Sequence, residues 1–207
     1  FFALLLLSSD DAFTKGRLAL SELADFYFDL EGTPSEKLTA TYDEATKIFE
    51  LLEFDLITAA ISGKILYFKG GGKVEVYLKR DNKLSSLFTI GAPSQLLSGF
   101  LEESDRIFFT TTSLADFLRE NLSDQLSIPL ESFEEEVVNK IGAASPEGNG
   151  MAGLLIEIER EEENVVIEGL DQTAPPPIIS EKAHINNLLD KLPVMFSKIG
   201  KYLPKSG

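Results

Sequence analysis

The sequence predicts an α+β fold: a four-layer α-β-β-α sandwich, with two mostly antiparallel sheets face to face and helices on both outer faces. The element order is strand, two helices, a run of strands, two helices and further strands. The central residues 54–78 contain three strand-like segments joined by glycine-containing turns. A hydrophobic content of 43% supports a sizeable core.

The first third of the chain is predicted as one strand and two helices. The apolar run at residues 1–7 is too short to span a membrane and is typical of a buried strand. Amphipathic periodicity predicts helices at residues 11–29 and 35–52, separated by the breaker Gly32-Thr33-Pro34.

The centre of the chain is predicted to carry a hairpin and a sharp corner. Ser62-Gly63-Lys64 joins two apolar runs, as in a hairpin. Gly70, Gly71 and Gly72 permit positive φ and predict a tight corner between strands. A phosphate-binding loop is the alternative, but Lys73 leads into strand alternation and not into a helix. The predicted strands cover residues 56–61, 65–68, 74–79 and 84–90.

The last part of the domain is predicted to end in strands after two helices. Pro129 stands near the start of the second of these helices, with acidic residues crowding its first turns. The predicted strands cover residues 95–101, 106–111, 151–158 and 164–167, and the predicted helices cover residues 114–122 and 129–141. One domain therefore spans residues 1–169.

Composition restricts the classes of function. The net charge of −15 argues against nucleic-acid binding, because phosphate backbones require a basic surface. The absence of Cys excludes disulfides, thiolate zinc sites and cysteine catalysis, and it fits a cytoplasmic location. The single histidine, His184, cannot form a histidine metal cluster and is expected to be a solvated linker residue.

The C-terminal part differs from the body. Residues 170–184 include three consecutive prolines and predict an extended linker. Residues 185–207 resemble a helix with an apolar stripe, and four Lys against one Asp give them a net charge of +3. The rest of the chain therefore carries −18. The alternatives for this segment are a helix that binds an unknown protein partner or a membrane surface, a helix that packs on the domain, and the first part of a longer C-terminal region.

Three stretches together have the outline of a known family. Residues 72–84 (GKVEVYLKRDNKL) begin at the corner and continue as a strand. Residues 101–118 (LEESDRIFFTTTSLADFL) join an acidic turn, a hydrophobic strand and a helix start. Residues 149–158 (NGMAGLLIEI) precede a final strand. Over residues 1–167 the chain resembles the metal-dependent PPM-type protein phosphatases in their short bacterial, SpoIIE-like form.

That resemblance implies a site with two Mg²⁺ or Mn²⁺ ions on Asp carboxylates and a metal-bound water that attacks phosphate. The matching positions depart from the family pattern. Lys73 stands where the family has the Asp of Gly-Asp-Ser-Arg, and Thr112 and Ser113 stand for the Asp and Gly of Thr-Asp-Gly. The last carboxylate falls at Gly150 or Met151.

The family's first Asp-Gly motif is also replaced. Ser9, Asp10 and Asp11 stand near its position, and the two aspartates are the weak candidates for a residual metal site. Capping of the following helix is the favoured interpretation of both. We therefore expect a degenerate site with no catalytic residue and no cofactor.

Three functions remain open at this stage. The favoured one is a pseudophosphatase that acts in protein interaction or regulation by binding a partner, or that anchors near a membrane through its C-terminal segment. The second is a divergent serine/threonine phosphatase that uses Mg²⁺ or Mn²⁺ around Asp10, Asp11, Asp55 or Asp116. The third is an unrelated α+β binding module, which would show a single-layer sheet or another strand order.

Overall fold

The computed structural model of the protein describes residues 1–144 and 150–159. The strands in this part are β1 Phe2–Ser8, β2 Glu53–Ser62, β3 Ile65–Gly71, β4 Val74–Arg80, β5 Lys83–Phe88, β6 Leu96–Phe100, β7 Arg106–Thr111 and β8 Gly153–Glu157. The helices are α1 Ala12–Asp29, α2 Pro34–Ile48, α3 Thr112–Leu118, α4 Leu122–Gln125 and α5 Leu130–Ala144, with a 3-10 turn at Arg119–Asn121 between α3 and α4.

The strands form two four-stranded sheets. Sheet A has the order β1-β2-β3-β6, and sheet B has the order β5-β4-β7-β8. All six pairings are antiparallel. The chain thus passes from sheet A to sheet B after β3, returns to sheet A with β6, and leaves it again for β7.

The main core lies between the sheets. Because strand residues alternate between faces, β2 sends Ile57 and Ala59 to one side and Leu56 and Ala60 to the other. The inner side of sheet A meets that of sheet B in one cluster, which includes Ile57, Ala59, Leu66, Phe68, Val74, Val76, Ile107 and Phe109. This arrangement confirms the predicted sandwich of two antiparallel sheets.

Helices α1 and α2 cover the outer face of sheet A. Leu23 from α1, Ala45 from α2 and Leu56 from β2 are fully buried in one cluster. Helix α2 begins with a capping box, in which the Thr33 side chain accepts from the backbone N–H of Glu36 and the Glu36 carboxylate accepts from that of Thr33. The packing of an apolar helix stripe on the sheet supplies the outer layer that the sequence predicts.

The outer face of sheet B is more polar than expected for a covered sheet. Phe108 contacts Phe133 of α5, with ring centroids 5.6 Å apart. Beside it, the buried Glu75 carboxylate accepts a hydrogen bond from the Tyr77 hydroxyl. Burial, and then this hydrogen bond, raise the pKa of Tyr77 well above its usual range. A polar pair is therefore built into the layer beneath the C-terminal helices.

Several predicted boundaries differ from the structure. The second helix ends at Ile48 and not at residue 52, and Leu51 beyond it is 94% exposed. The helix predicted at residues 114–122 is divided into α3, a 3-10 turn and α4. Two of the three corner glycines, Gly70 and Gly71, lie inside β3. An added Cβ on Gly71 would lie 2.2 Å from the Tyr42 hydroxyl oxygen, so close packing explains that glycine.

Other predictions fall outside the described residues. These are the strand at residues 164–167, the linker at residues 170–184 and the segment at residues 185–207, so they stay predictions. Residues 1–137 and 150–159 belong to one compact unit, which holds both sheets. Within the described helices, no stretch combines the length and the apolar character needed to cross a membrane.

Replacing Tyr77 by Phe tests the buried polar pair. We expect the free energy of unfolding at neutral pH to fall by about 1–3 kcal/mol, because buried Glu75 loses its donor. A raised folded-state pKa stabilises the fold fully below the unfolded value of about 10 and less as pH rises above it. The difference between wild type and variant should therefore shrink above that pH.

Urea unfolding across the alkaline range measures this difference. Tyr67→Phe is the matched control, since the Tyr67 hydroxyl has no hydrogen bond within the described part of the chain. A constant difference at all pH values would contradict the link to Tyr77 ionisation.

Candidate functional site

Four chain segments meet at one end of the sandwich. The corner after β3 carries the chain from sheet A to sheet B and consists of Gly72 and Lys73. Strand β4 then starts opposite the end of β7, with Val74 paired to Thr111. We call Asp55, Gly72, Lys73, Thr112, Ser113 and Gly150 the rim.

The corner is fastened to β2 by one carboxylate. The backbone N–H of Lys73 donates to Asp55 Oδ1 over 2.8 Å. Gly72 has a φ of +88°, and an added Cβ would lie 2.1 Å from the same Asp55 oxygen. Glycine is therefore required at position 72 both for its backbone conformation and for space.

The start of α3 closes the rim on the other side. The backbone N–H of Thr112 donates to the Lys73 carbonyl over 2.9 Å. The Ser113 hydroxyl donates to the Gly150 carbonyl, and Thr111 Oγ1 lies 3.2 Å from Ser113 Oγ. These bonds join the corner, the end of β7 and the segment before β8 without a charged side chain.

Gly150 also touches the first strand. An added Cβ at Gly150 would lie 3.8 Å from both Leu6 Cδ2 and Ser113 Oγ. Its φ of +75° again favours glycine. The structure thus brings together Lys73, Thr112, Ser113 and Gly150, the positions that the resemblance marked as replaced metal ligands. Met151 follows Gly150 and is partly buried.

The remaining candidate residues, Asp10, Asp11 and Asp116, are not joined to the rim by any described hydrogen bond or ion pair. Asp10 and Asp11 are exposed, and no described contact joins them to the rim. Asp11 is the N-cap residue of α1, but its side chain makes no capping hydrogen bond. Asp116 is exposed on α3 and forms an ion pair with Arg119.

The sequence analysis named Asp55 only as one of several acidic residues that could bind a metal. It did not predict the hydrogen bond that Asp55 accepts from the Lys73 N–H. The signal was available in the hairpin, because the Ser62–Ile65 pairing fixes every later pair of β2 and β3. Counting outward from that turn places Asp55 opposite Gly72. A carboxylate opposite a positive-φ glycine is a candidate acceptor for the next backbone N–H.

The rim's chemistry differs from a binding site for two hard divalent cations. Its side chains offer one carboxylate, already bonded to Lys73 N–H, and hydroxyl groups. Lys73 adds an exposed positive charge. Across residues 1–144 and 150–159, no three His, Cys, Asp or Glu side chains are grouped to hold a metal ion. The described residues therefore do not fit such a pair of ions.

The fold is similar to solved bacterial phosphatases. Serine/threonine phosphatase PstP/Ppp of Mycobacterium tuberculosis superposes with a TM-score of 0.61 at 17% identity, over 76% of this chain and 88% of that one. The PP2C domain of SiaA from Pseudomonas aeruginosa superposes with a TM-score of 0.59 at 13% identity, over 76% of this chain and 75% of that one. The sequence matches no family model and no curated protein.

The architecture is therefore that of PP2C-type, or PPM-type, phosphatase domains. Identities this low establish the fold and leave the activity open. The third alternative, an unrelated module, predicted a single-layer sheet or another strand order, and the structure has two packed sheets.

The expectation of no cofactor is wrong on this comparison. The PstP catalytic domain was solved in complex with two manganese ions, with a TM-score of 0.59 at 17% identity over 76% of this chain and 87% of that one. Metal use therefore accompanies this fold. That expectation took the absence of the Asp motifs as sufficient reason to exclude a metal, although a fold can bind a metal through other ligands.

A double-mutant cycle tests the fastening of the corner. Asp55→Ala should lower the free energy of unfolding by about 1–3 kcal/mol, because the Lys73 N–H loses its acceptor. Gly72→Ala should cost more in wild type than in the Asp55→Ala background, since the clash with the carboxylate is then gone. Urea unfolding gives all four values.

Gly63→Ala is the matched control for backbone strain. Gly63 has a φ of +57°, and no atom lies within 4 Å of an added Cβ, so this change should cost only the conformational strain of about 1–2 kcal/mol. Additive effects of the two rim substitutions would show that Asp55 does not hold the corner.

Proposed function

We propose that this chain is a PPM-type phosphatase-like domain that acts by binding another protein and does not turn over phosphoesters. The composition of the rim carries this proposal. Where the family resemblance implies Asp ligands, the rim has Lys73, Thr112, Ser113 and Gly150. Hydrogen bonds join these positions in two pairs, Thr112 with Lys73 and Ser113 with Gly150. Hydrolysis by a metal-activated water needs anionic ligands at such a place.

The hydrogen bonds of the rim support the same conclusion. Asp55 is its one carboxylate, and its oxygen accepts from Lys73 N–H. The backbone of Thr112 is bonded to the corner carbonyl. Internal hydrogen bonds therefore hold the rim together and stabilise the fold at the place where the resemblance implies a reaction centre.

A metal-dependent serine/threonine phosphatase is the second candidate. The manganese-bound PstP structure favours it, since that protein has the same fold. In this case Asp10, Asp11 and Asp55 would supply carboxylates, and the rim would have to rearrange. Turnover then depends on Mn²⁺ or Mg²⁺ and is lost in Asp10→Ala.

An activity assay separates the two candidates. The full chain is incubated with p-nitrophenyl phosphate and with a phosphoserine peptide, each with Mn²⁺ or Mg²⁺. We expect turnover no faster than the protein-free control, because no carboxylate cluster is available at the rim. Metal-dependent turnover that disappears in Asp10→Ala would overturn the proposal.

A restoring variant makes the same test sharper. Lys73→Asp combined with Thr112→Asp places two carboxylates beside Asp55, because the Lys73 carbonyl bonds to Thr112 N–H. We expect calorimetry to show Mn²⁺ binding at least about tenfold tighter than in wild type. The matched control, Lys73→Asn with Thr112→Asn, changes size similarly and also removes the lysine charge, but adds no carboxylate. Equal affinity in both variants would show that the rim is not the equivalent place.

The partner surface is proposed to include residues 185–207. This segment has a net charge of +3 against −18 for the rest, so it suits an acidic partner or an anionic lipid surface on the cytoplasmic side. Deleting it should abolish co-sedimentation with anionic vesicles or capture of the partner. Exchanging its four lysines for glutamine keeps the length of the segment but removes the positive charges, so this variant separates the effect of charge from that of length. Unchanged binding after deletion would remove the segment from the proposal.

A further inference from the structure

Strand β6 leaves one edge of sheet A open. It is the last strand in the order β1-β2-β3-β6, so among the described residues its backbone is paired on the β3 side only. Of the described strands, β6 alone has three consecutive exposed residues, Ser98, Gly99 and Phe100. An edge strand presents unpaired N–H and C=O groups to a further strand. The partner that such an edge selects is therefore an extended backbone.

The hydrogen bonds to β3 show which backbone groups face the open side. The Leu101 N–H donates to the Lys64 carbonyl, so these two residues form a pair of the hydrogen-bonded kind. Such pairs alternate along antiparallel strands, and Leu97 and Gly99 therefore also direct their backbone groups at β3. The Phe100 carbonyl accepts from Arg80 and keeps a second lone pair. The residues whose N–H groups face away from β3 are the alternate ones, Leu96, Ser98 and Phe100.

This edge lacks the features that keep sheet edges of separate molecules apart, which are Lys, Pro and bulges. Strand β5, at an edge of sheet B, has Lys83 and a shift of register against β4. Strand β6 has no charged residue and no proline, and it keeps one register along β3. Residues 84–101 contain no Asp, Glu, Lys or Arg, although 26% of the chain is charged. A net charge of −15 opposes self-association, so two copies meet at least cost at a surface without charge.

The sequence of β6 is complementary to itself. In an antiparallel pair with a two-fold axis at Ser98, Leu97 lies opposite Gly99 of the second copy, and Leu96 lies opposite its Phe100. Gly99 has open space beside it, because no atom lies within 4 Å of an added Cβ. Leu97 and Gly99 would form a non-hydrogen-bonded pair, the kind whose side chains lie closer together. A large side chain thus meets a vacant position on one face, and an aromatic ring meets an aliphatic chain on the other.

The space beside Gly99 is an apolar crevice of about 210 Å³ that opens to solvent. No charged side chain is among the described residues that line it. Leu97 of the second copy would enter its mouth, and Phe100, now 76% exposed, would be covered. Both contacts remove apolar surface from water, which favours association.

We propose that two copies of this chain pair through β6, antiparallel about Ser98, so that their two A sheets become one continuous sheet. Backbone hydrogen bonds then join Ser98 to Ser98 of the second copy, and Leu96 to Phe100 in both directions. The antiparallel arrangement keeps the acidic turns of the two copies, which begin at Glu102, at opposite ends of the paired strands. None of these residues belongs to the rim, so this pairing is independent of the proposed function.

Sedimentation equilibrium of the full chain tests for the pairing. We expect an average mass that rises with concentration from 22.8 kDa towards twice that value. A mass of 22.8 kDa at every concentration up to about 1 mM would overturn the proposal, because even a weak dimer is populated there.

Ser98→Pro tests the backbone pairing. The proline ring removes an N–H that faces away from β3, a position at which an edge strand tolerates proline, so thermal unfolding of dilute monomer should change little. The dissociation constant of the dimer should rise at least about tenfold, because the hydrogen bonds across the two-fold axis are lost. Ser98→Ala keeps this N–H and is the matched control, with wild-type affinity. Equal affinity of the two variants would exclude pairing through this edge.

A charge exchange tests the register. The two copies of residue 98 lie directly opposite each other, so Ser98→Lys and Ser98→Glu should each dimerise more weakly than Ser98→Ala. An equimolar mixture of the two charged variants should reach a higher average mass than either variant by itself at the same total concentration. Ser21→Lys mixed with Ser21→Glu, at an exposed position of α1, is the matched control and should show no such gain. Absence of a gain in the Ser98 mixture would exclude a two-fold axis at this residue.

Discussion

The crossing from sheet A to sheet B after β3 is the constraint on which the rest of the structure depends. Two residues, Gly72 and Lys73, must reverse the chain from one layer to the other. Asp55 holds them through the Lys73 N–H, and the left-handed backbone of Gly72 admits no side chain beside that carboxylate. With this crossing in place, Val74 and Val76 enter the core opposite the β2 and β3 side chains. This one corner therefore sets how the inner faces of the two sheets align.

The same corner places the rim. Because β4 begins directly after Lys73, its pairing with β7 brings Thr111 and the start of α3 to the crossing. The pairing of β7 with β8 then brings the segment after Gly150 to the same end. In a sandwich of this topology a site at this position can be reached by four segments that are far apart in sequence.

Within the described residues, the buried charged side chains Glu75, Lys79 and Asp105 all make hydrogen bonds. Asp105 is fully buried and accepts two hydrogen bonds from Arg80 and one from the backbone of Glu102. This arrangement satisfies both carboxylate oxygens, which is the condition for tolerating a buried charge. Arg80 is thereby committed to the fold, whereas Lys83 beside it on β5 faces solvent.

The sequence by itself determined the element types and the fold class. Alternation in residues 74–79 and the apolar run at residues 56–61 depend on near neighbours, and the hairpin at Gly63 fixes the Asp55–Gly72 register. The family resemblance predicted that Lys73, Thr112, Ser113 and Gly150 or Met151 replace the family's aspartates, and this stays a prediction. The sequence pattern placed all three glycines at residues 70–72 in a corner, because it could not show that Tyr42 occupies the space beside Gly71.

Only the tertiary structure decided the sheet order and the contacts of the rim. The return of β6 to sheet A, away from its sequence neighbour β5, depends on long-range pairing that no local pattern encodes. The Thr112–Lys73 bond likewise joins residues 39 positions apart in the printed sequence. The physical reason is that periodicity reports which face of an element is buried, whereas the partner that buries it is chosen by the packing of the whole chain.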